Sequence, residues 1–399
     1  MDKIRIGVFG AWRGSSYISL INGMEEYRLV AICDRRAEET DSLKNSLGED
    51  VQFFTDFDEF IETPMDAVVL ANFFNEHAPY AIRALEKGIA VLSECTAAST
   101  MKECVELVRA VERTGGIYML AENYPFTVPN LELARLTREG TFGKILYCEG
   151  EYDHGAPEDT LRELTPGQYH WRAWMPRTYY VTHALGPLLY MTDSMPKVVN
   201  ARAVHSPALE KYDSFRHNYD AAAMMFCETD TGALLRFTGC AAMASDSGYR
   251  VVGEFGSAET GRGLGGAVRL LYNSWTTPEG RESCSTYAPE PDEVSQKAAG
   301  AGHGGGDYWV LYNFMRTLKY GDKPFFDVYR SAAMSAVGIL AWRSCLNEGK
   351  PYFIPDFRKE DERKQWENDD LTPFPDQNGN GVTLPCASMA AKRSGFQVD

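Results

Sequence analysis

The chain has 399 residues, which is long for a single hydrophobic core and predicts two domains. Its net charge of -16 argues against nucleic acid or an anionic membrane surface as a partner. The nine cysteines include no C-x-x-C pair, no apolar run reaches membrane-spanning length, and a strand is predicted to begin at Ile4. We therefore expect a cytoplasmic protein with reduced thiols and no export signal.

The N-terminal segment predicts a short strand, a glycine-containing turn and the start of a helix. Doubly wound α/β proteins hold a dinucleotide pyrophosphate at such a turn, because the first helical N–H groups and the helix dipole attract phosphate. In the spacing G-x-G-x-x-G counted from Gly10, Trp12 takes the second glycine position and Ser15 the third, with Gly14 one residue early. We expect Gly10, Trp12 and Arg13 to bind a cofactor, although an ordinary strand-to-helix turn could have the same pattern.

A second predicted strand, Tyr27–Cys33, is followed by Asp34, which lies 24 residues after Gly10. A carboxylate at this point can accept both ribose hydroxyls of an adenosine, which favours NAD over NADP as the cofactor. Alternatively, Asp34 could have a purely structural role as the cap of the next helix. Arg35 and Arg36 follow it and could meet a 2′-phosphate, so that NADP stays open.

Three further buried strands are predicted at 65–71, 89–94 and 117–121, with helices between them. This alternation indicates a parallel sheet with right-handed crossovers, whose ligands bind at the carboxyl ends of the strands. The residues after the strands should therefore contact the cofactor together with Asp34 and Arg35: Asn72, Phe74, Asn75, His77, Glu94, Cys95 and Asn123. We predict an NAD(P)-binding Rossmann domain over residues 1–123.

After residue 123 the pattern changes to strand-like segments with few helices between them. Such a succession predicts an α+β domain built on a mostly antiparallel open sheet, over residues 124–357. Residues 276–306 are rich in Gly, Pro, Ser and charge and predict a long loop. Residues 358–399 are charged and then rich in Pro, Asn and Gly, which is typical of a tail or extended arm.

The order of these elements, with Glu94 ending the fourth predicted strand, resembles the Gfo/Idh/MocA oxidoreductase superfamily. The resemblance extends from Ile4 to about Phe357. The usual superfamily signature after that strand is Glu-Lys-Pro, whose lysine assists proton transfer, and here the stretch is Glu94-Cys95-Thr96. The lysine is absent, which puts the ordinary dehydrogenase mechanism in doubt.

Glycoside hydrolase family 109, a branch without that lysine, is similar to this chain at further motifs. Its patterns are Glu-Val-Pro-Ala-Ala, Glu-Asn, Gly-Glu-Gly-x-Tyr, Tyr-Pro-Thr-His-Gly-Leu-Gly-Pro and Gly-His-Gly-Gly-Met-Asp. The stretches that resemble them here are Glu94–Ala98, Glu122–Asn123, Glu149–Tyr152, Tyr180–Pro187 and Gly302–Asp307. The chain departs from the family at residues 74–77, which read Phe-Asn-Glu-His where the family has Trp-Glu-Trp-His, and at Val181, where it has proline.

The resemblance implies an NAD-dependent cleavage of a sugar glycoside in which the cofactor is not consumed. A hydride leaves C3, a base removes the acidified C2 proton, the C1 substituent is eliminated, water adds, and C3 is reduced again. His183 is the expected base, because an imidazole titrates near neutral pH, and Tyr152 and Tyr180 could share proton transfer. Tyr180 is also expected beside the cofactor, and the expected substrate-binding residues are Arg172, Thr182, His303 and Asp307.

Other interpretations stay open. His183 could have no more than a structural role at the start of a helix, and Tyr152 could be a core residue. His303 and Asp307 could likewise serve only as a helix cap. The chain could be an NAD(P)-dependent sugar or cyclitol dehydrogenase, or a dinucleotide-binding subunit without activity. No metal site is expected, because the histidines and carboxylates lack ligand spacing. By analogy with the superfamily we expect a homodimer or homotetramer.

Overall fold

The computed structural model of the protein describes residues 2–167, 169–212, 214, 216–239, 245–376 and 378–380. These residues form two compact units. The first comprises the chain up to Asn123, together with Lys297–Ala332 and Glu360–Asp370. The second comprises Tyr124–Gln296, Ala333–Lys359 and the segment that begins at Leu371. The sequence-based division has the same boundary after Asn123, but it does not return later segments to the first unit.

The first unit is built on a six-stranded parallel sheet in the order β3-β2-β1-β4-β5-β6. Its strands are β1 (Ile4–Phe9), β2 (Tyr27–Cys33), β3 (Gln52–Phe54), β4 (Ala67–Leu70), β5 (Ala90–Ser93) and β6 (Tyr118–Leu120). Residues of β4, β5 and β6 are buried throughout, as expected of strands covered on both faces. The order reverses between β1 and β4, the switch point at which doubly wound sheets bind ligands.

Helices connect these strands and continue in the returning segments. They are α1 (Ala11–Gly23), α2 (Ala37–Lys44), α3 (Phe57–Phe60), α4 (His77–Glu86), α5 (Met101–Thr114), α11 (Gly306–Tyr320) and α13 (Glu360–Arg363). Thr100 and Glu103 form a capping box that fixes the start of α5, and Gly115 ends it with a left-handed backbone. The buried Arg363 binds Glu112, which holds the last returning segment on α5.

The second unit is built on a nine-stranded sheet in the order β14-β13-β12-β11-β7-β10-β9-β8-β15. Its strands are β7 (Ile145–His154), β8 (Pro196–His205), β9 (Asp220–Thr229), β10 (Leu234–Thr238), β11 (Ser245–Gly253), β12 (Gly256–Thr260), β13 (Val268–Tyr272), β14 (Cys284–Tyr287) and β15 (Tyr352–Phe353). Neighbouring strands are antiparallel except β7 and β10, which are parallel. The two sheets confirm the predicted fold class, a Rossmann domain followed by an α+β domain.

The second unit also contains helices. They are α6 (Val128–Arg138), α7 (Glu158–Glu163), α8 (Trp171–Trp174) and α9 (Thr182–Thr192), while α10 (Glu293–Lys297) and α12 (Val328–Leu346) each contain a boundary between the two units. A Cβ at Gly150 of β7 would lie 2.3 Å from the Ala184 carbonyl oxygen, so the start of α9 packs directly on the strand. This contact positions the side chains at the start of α9.

The structure differs from the sequence prediction in several segments. Residues 358–399 are not only a tail, because Glu360–Arg363 forms α13 in the first unit. Residues 276–306 are not one long loop, because they contain β14, α10 and the 3₁₀ turn His303–Gly305. The sequence analysis also missed β3, whose three residues show no buried alternation. Within the described ranges, no helix combines the length and the apolar character needed to cross a membrane.

Candidate functional site

The turn after β1 brings its backbone against the end of β4. Gly10 has a φ of 97°, and a Cβ there would lie 2.3 Å from the Ala71 carbonyl oxygen, so only glycine fits. Gly14 is buried in the next turn, where a Cβ would lie 2.6 Å from Cγ1 of Val8. Gly14 therefore provides the close helix–strand contact that the last glycine of the motif usually provides, one residue earlier than the ideal spacing.

Asp34 links the end of β2 to the start of α1. Its two carboxylate oxygens accept hydrogen bonds from the N–H groups of Ala11, at 2.8 Å, and Arg36, at 3.0 Å. Each oxygen keeps a lone pair for a further donor such as a ribose hydroxyl. Trp12, whose side chain is half exposed, and Arg13 lie in the first turn of α1, where N–H groups have no acceptor within the helix. These groups fit the ribose and pyrophosphate of a dinucleotide.

The two arginines that follow Asp34 are both paired with carboxylates. The Arg35 guanidinium lies 2.7 Å from a carboxylate oxygen of Glu76 and donates to the Tyr80 hydroxyl at 2.6 Å. The Arg36 guanidinium lies 2.8 Å from the carboxylate of Glu39.

Buried polar atoms without partners follow β4. Among the described residues, neither amide atom of the Asn72 side chain has a hydrogen-bond partner, nor does Oδ1 of Asn75. Phe74 is buried. His77 is buried as well, which lowers its pKa, and its Nδ1 lies 2.7 Å from the Thr96 carbonyl oxygen. Unpartnered donors and acceptors at a strand end fit a polar ligand, because buried polar groups are normally hydrogen-bonded.

Glu94, at the end of β5, is the centre of a buried hydrogen-bond network. The Tyr17 hydroxyl donates to its Oε1 at 2.8 Å, the Cys95 N–H donates to its Oε2 at 3.2 Å, and the Arg13 guanidinium forms an ion pair with it. The Cys95 thiol donates to Glu122 at 3.4 Å. The cation on Glu94 is therefore a guanidinium, which cannot exchange a proton near neutral pH as a lysine can.

Asp307 extends this network into α11. It is fully buried, accepts a hydrogen bond from the Asn123 side chain at 2.7 Å, and lies 3.0 Å from Nδ1 of His303 and 3.9 Å from the Arg13 guanidinium. Burial opposes ionisation of Asp307, but His303 and Arg13 lower its pKa below its usual range. The hydrogen bond to Asp307 raises the pKa of His303. The two predicted substrate residues thus form a histidine–carboxylate pair within the first unit, which is an ion pair when His303 is protonated.

In the second unit, an aromatic cluster surrounds His183, the second residue of α9. The buried imidazole lies 4.6 Å from the Tyr124 ring, 4.7 Å from the Tyr152 ring and 5.2 Å from the Tyr180 ring, between centroids. Its Nε2 lies 3.3 Å from the Tyr180 hydroxyl, within hydrogen-bond distance. An imidazole with a phenol on one nitrogen can accept and return a proton.

The backbone around His183 is fixed by β11 and by burial. The Tyr249 hydroxyl donates to the His183 carbonyl oxygen at 2.6 Å. Thr182 is buried, and within the described chain its hydroxyl has no hydrogen-bond partner. Arg172 lies in α8, where its guanidinium stacks over the Trp171 ring at 4.4 Å from the centroid. Thr182 therefore adjoins His183 at the start of α9, and the contact of Arg172 described here is with Trp171.

The predicted site residues therefore form two groups, one in each unit. The first unit contains Gly10, Trp12, Arg13, Asp34, Arg35, Asn72, Phe74, Asn75, His77, Glu94, Cys95, Asn123, His303 and Asp307, and the second contains Tyr152, Arg172, Tyr180, Thr182 and His183. The sequence analysis missed Tyr17 and Tyr124, which contact Glu94 and His183 respectively. A helical tyrosine seven residues after Gly10 has no distinctive signal, whereas Tyr124 directly follows the Glu122-Asn123 motif, and this position is a signal for a site residue.

Three family domains match the chain in order. Residues 4–122 match the NAD-binding Rossmann fold of the Gfo/Idh/MocA oxidoreductase family, and residues 130–259 match a Gfo/Idh/MocA C-terminal domain. Residues 287–366 match the C-terminal domain of glycosyl hydrolase 109. The first match agrees with the dinucleotide-binding geometry described at the ends of β1, β2 and β4.

Whole-chain relatives agree with this assignment. A glycosyl hydrolase family 109 protein of Saccharopolyspora erythraea is 27% identical, over 94% of this chain and 86% of the relative. An alpha-N-acetylgalactosaminidase of Shewanella oneidensis is 24% identical, over 92% of this chain and 87% of the relative.

A solved oxidoreductase of Agrobacterium radiobacter, in complex with NAD+, L-tartaric acid and magnesium, shares the fold. Its TM-score is 0.72 at 12% identity, over 88% of this chain and 99% of that one. With two Gfo/Idh/MocA domains followed by a glycosyl hydrolase 109 C-terminal domain, this chain belongs to the Gfo/Idh/MocA superfamily and resembles its glycosyl hydrolase 109 branch.

Proposed function

We propose that the protein is an NAD-dependent glycoside hydrolase that oxidises its sugar transiently and releases it without net redox change. One observation carries this proposal: His183 is held among three tyrosine rings with the Tyr180 hydroxyl on its Nε2. The superfamily lysine is missing from Glu94-Cys95-Thr96, so a different group must transfer the proton. The motif that contains Tyr180 and His183 resembles the corresponding motif of family 109.

The first unit supplies the cofactor site in this proposal. When bound, NAD provides a hydride acceptor for C3 of the sugar and then a hydride donor for the same carbon. The N-terminus of α1 would hold the pyrophosphate, Asp34 the adenosine ribose, and the unpartnered amide of Asn72 a further polar group. Asp34 favours NAD, since its carboxylate repels a 2′-phosphate.

The second unit supplies proton transfer. His183 accepts the C2 proton once C3 is a ketone, and the hydroxyl on its Nε2 lets Tyr180 relay a proton or protonate the leaving group. Tyr152 and Tyr124 hold the imidazole by ring packing. Thr182 and Arg172 would bind sugar hydroxyls. The pair His303–Asp307 is instead a cofactor-side group in this account, because it contacts Asn123 and Arg13.

An assay that follows two signals at once tests the proposal. The Shewanella oneidensis relative is named for N-acetylgalactosamine, so a 4-nitrophenyl α-N-acetylgalactosaminide is the first substrate in a panel of aryl glycosides. We expect nitrophenol release that requires NAD, while NADH absorbance does not accumulate. Stoichiometric NADH with no released nitrophenol would instead identify a sugar or cyclitol dehydrogenase, and NAD binding with neither signal would identify a subunit without activity.

The dehydrogenase alternative has one structural observation in its favour. His303 and Asp307 form a histidine–carboxylate pair in the nucleotide-binding unit, and such a pair could take over proton transfer from the missing lysine. The two-signal assay separates this alternative from the hydrolase. We further propose a cytoplasmic homodimer or homotetramer, which is the assembly expected from the superfamily.

A further inference from the structure

In NADP-binding proteins an arginine after β2 can bind the 2′-phosphate. The contacts of Arg35 disfavour this role here. Its guanidinium lies 2.7 Å from one oxygen of the Glu76 carboxylate and 3.3 Å from the other. The Tyr80 hydroxyl accepts a third contact at 2.6 Å, and the Phe73 ring lies 5.7 Å away. A guanidinium that is already paired with a carboxylate binds a 2′-phosphate less strongly, because its charge is balanced and the paired N–H groups are occupied.

The second arginine at this edge also forms an ion pair with a carboxylate. Arg36 is paired with Glu39 at 2.8 Å, and its backbone N–H donates to Asp34. The edge therefore has two arginines against the three carboxylates of Asp34, Glu39 and Glu76, and its net charge is negative. A phosphate that adds close to two negative charges would be repelled by this excess negative charge, whereas ribose hydroxyls can donate to Asp34.

We infer that Glu76 selects NAD over NADP by holding Arg35 in an ion pair. This inference rests on the proposed dinucleotide-binding function and assigns its specificity to a residue outside the glycine turn. Without a carboxylate at position 76, the Arg35 guanidinium would lose its ion pair and would be able to turn towards the ribose side of Asp34.

The test compares binding of NADH and NADPH by fluorescence titration of wild type and Glu76→Gln, at low ionic strength. We expect wild type to bind NADH about tenfold or more tightly than NADPH, because the carboxylates repel the added phosphate. In Glu76→Gln the Kd for NADPH should fall about tenfold, because a freed guanidinium gains charge-assisted bonds to the phosphate, while the Kd for NADH changes less than about threefold. The double variant Glu76→Gln with Arg35→Met should lose this gain.

The matched control is Glu86→Gln. Glu86 is paired with Arg113 at 2.6 Å and lies at the other end of α4, so that this change removes the same charge from the same kind of pair at a distance from β2. It should leave the ratio of the two Kd values unchanged, and circular dichroism should show that all variants are folded.

Three results would overturn the inference. These are equal binding of NADH and NADPH by wild type, an unchanged ratio in Glu76→Gln, and a gain that persists without Arg35. Any of them would leave the proposed function intact as long as NADH binds. If folded wild type binds neither dinucleotide, the proposed function fails and the inference fails with it.

Discussion

The imidazole of His183 is buried, contacts three tyrosine rings, and has the Tyr180 hydroxyl on Nε2. Loss of a general base typically lowers turnover by about 10²- to 10⁴-fold. We therefore expect His183→Ala to lower kcat at least about a hundredfold while NADH binding is retained, measured by nitrophenol release and by fluorescence titration.

His154 provides the matched control for that change. It is an exposed histidine of the same unit, and its ring lies 5.7 Å from the Tyr152 ring. His154→Ala should keep most of the activity. If His183→Ala stays active, or if His154→Ala loses as much activity, then His183 is not the base.

The charged pair of His303 and Asp307 predicts a pH-dependent stability. The pKa of His303 is raised on folding, so its stabilisation is complete below the unfolded pKa of about 6.5 and is lost as pH rises through the folded value. The pKa of Asp307 is lowered, so its stabilisation is present above about pH 4 and is lost as pH falls through the folded value. The pair is therefore most stabilising between these two limits.

The substitution His303→Gln tests this dependence. It should lower the Tm by about 2 °C more at about pH 5.5 than at about pH 8.5, a small effect because the His303 side chain is one-third exposed. His205→Gln is the control, since His205 pairs with an exposed carboxylate, Glu210, whose contribution should be small at both pH values. An equal or reversed difference for His303→Gln would contradict the ionised pair.

The element that the cofactor site depends on is the turn from β1 into α1. Gly10→Ala places a Cβ against the Ala71 carbonyl at a residue with a positive φ, so the turn must move. We expect NADH affinity to fall about tenfold or more, because the first N–H groups of α1 shift with the turn. Gly23→Ala, at the other end of α1 with open space around it, should bind NADH normally. Equal affinities of the two variants would exclude a cofactor role for this turn.

Several elements could be predicted from the sequence because their signals are local. The predicted strand from Ile4 ends at a glycine turn after Phe9, and the predicted strand from Tyr27 ends before Asp34. The observed β1 and β2 have these same bounds. In contrast, β3 has three partly exposed residues and is defined by its pairing with β2. Such a strand depends on a neighbour that is distant in sequence, which periodicity cannot reveal.

At the scale of the whole molecule, the chain returns twice to the first unit, with Lys297–Ala332 and again with Glu360–Asp370. An amphipathic helix shows that it buries one face, but not which partner covers that face. The sequence therefore identified His303 and Asp307 as a motif and could not show that Asn123 and Arg13 are their neighbours. The Tyr180–His183 pair was easier to predict, because the two residues are only three positions apart in the sequence.

The measurement that tests the central claim most directly is the fate of the hydrogen at C2 of the sugar. An aryl glycoside that the protein cleaves is incubated with protein and NAD in D₂O, and the released sugar is examined by mass spectrometry and NMR. Our account predicts one deuterium at C2, because His183 removes the original proton and solvent returns the new one, with no accumulation of NADH. Release of a sugar that keeps its original hydrogen at C2 would contradict it.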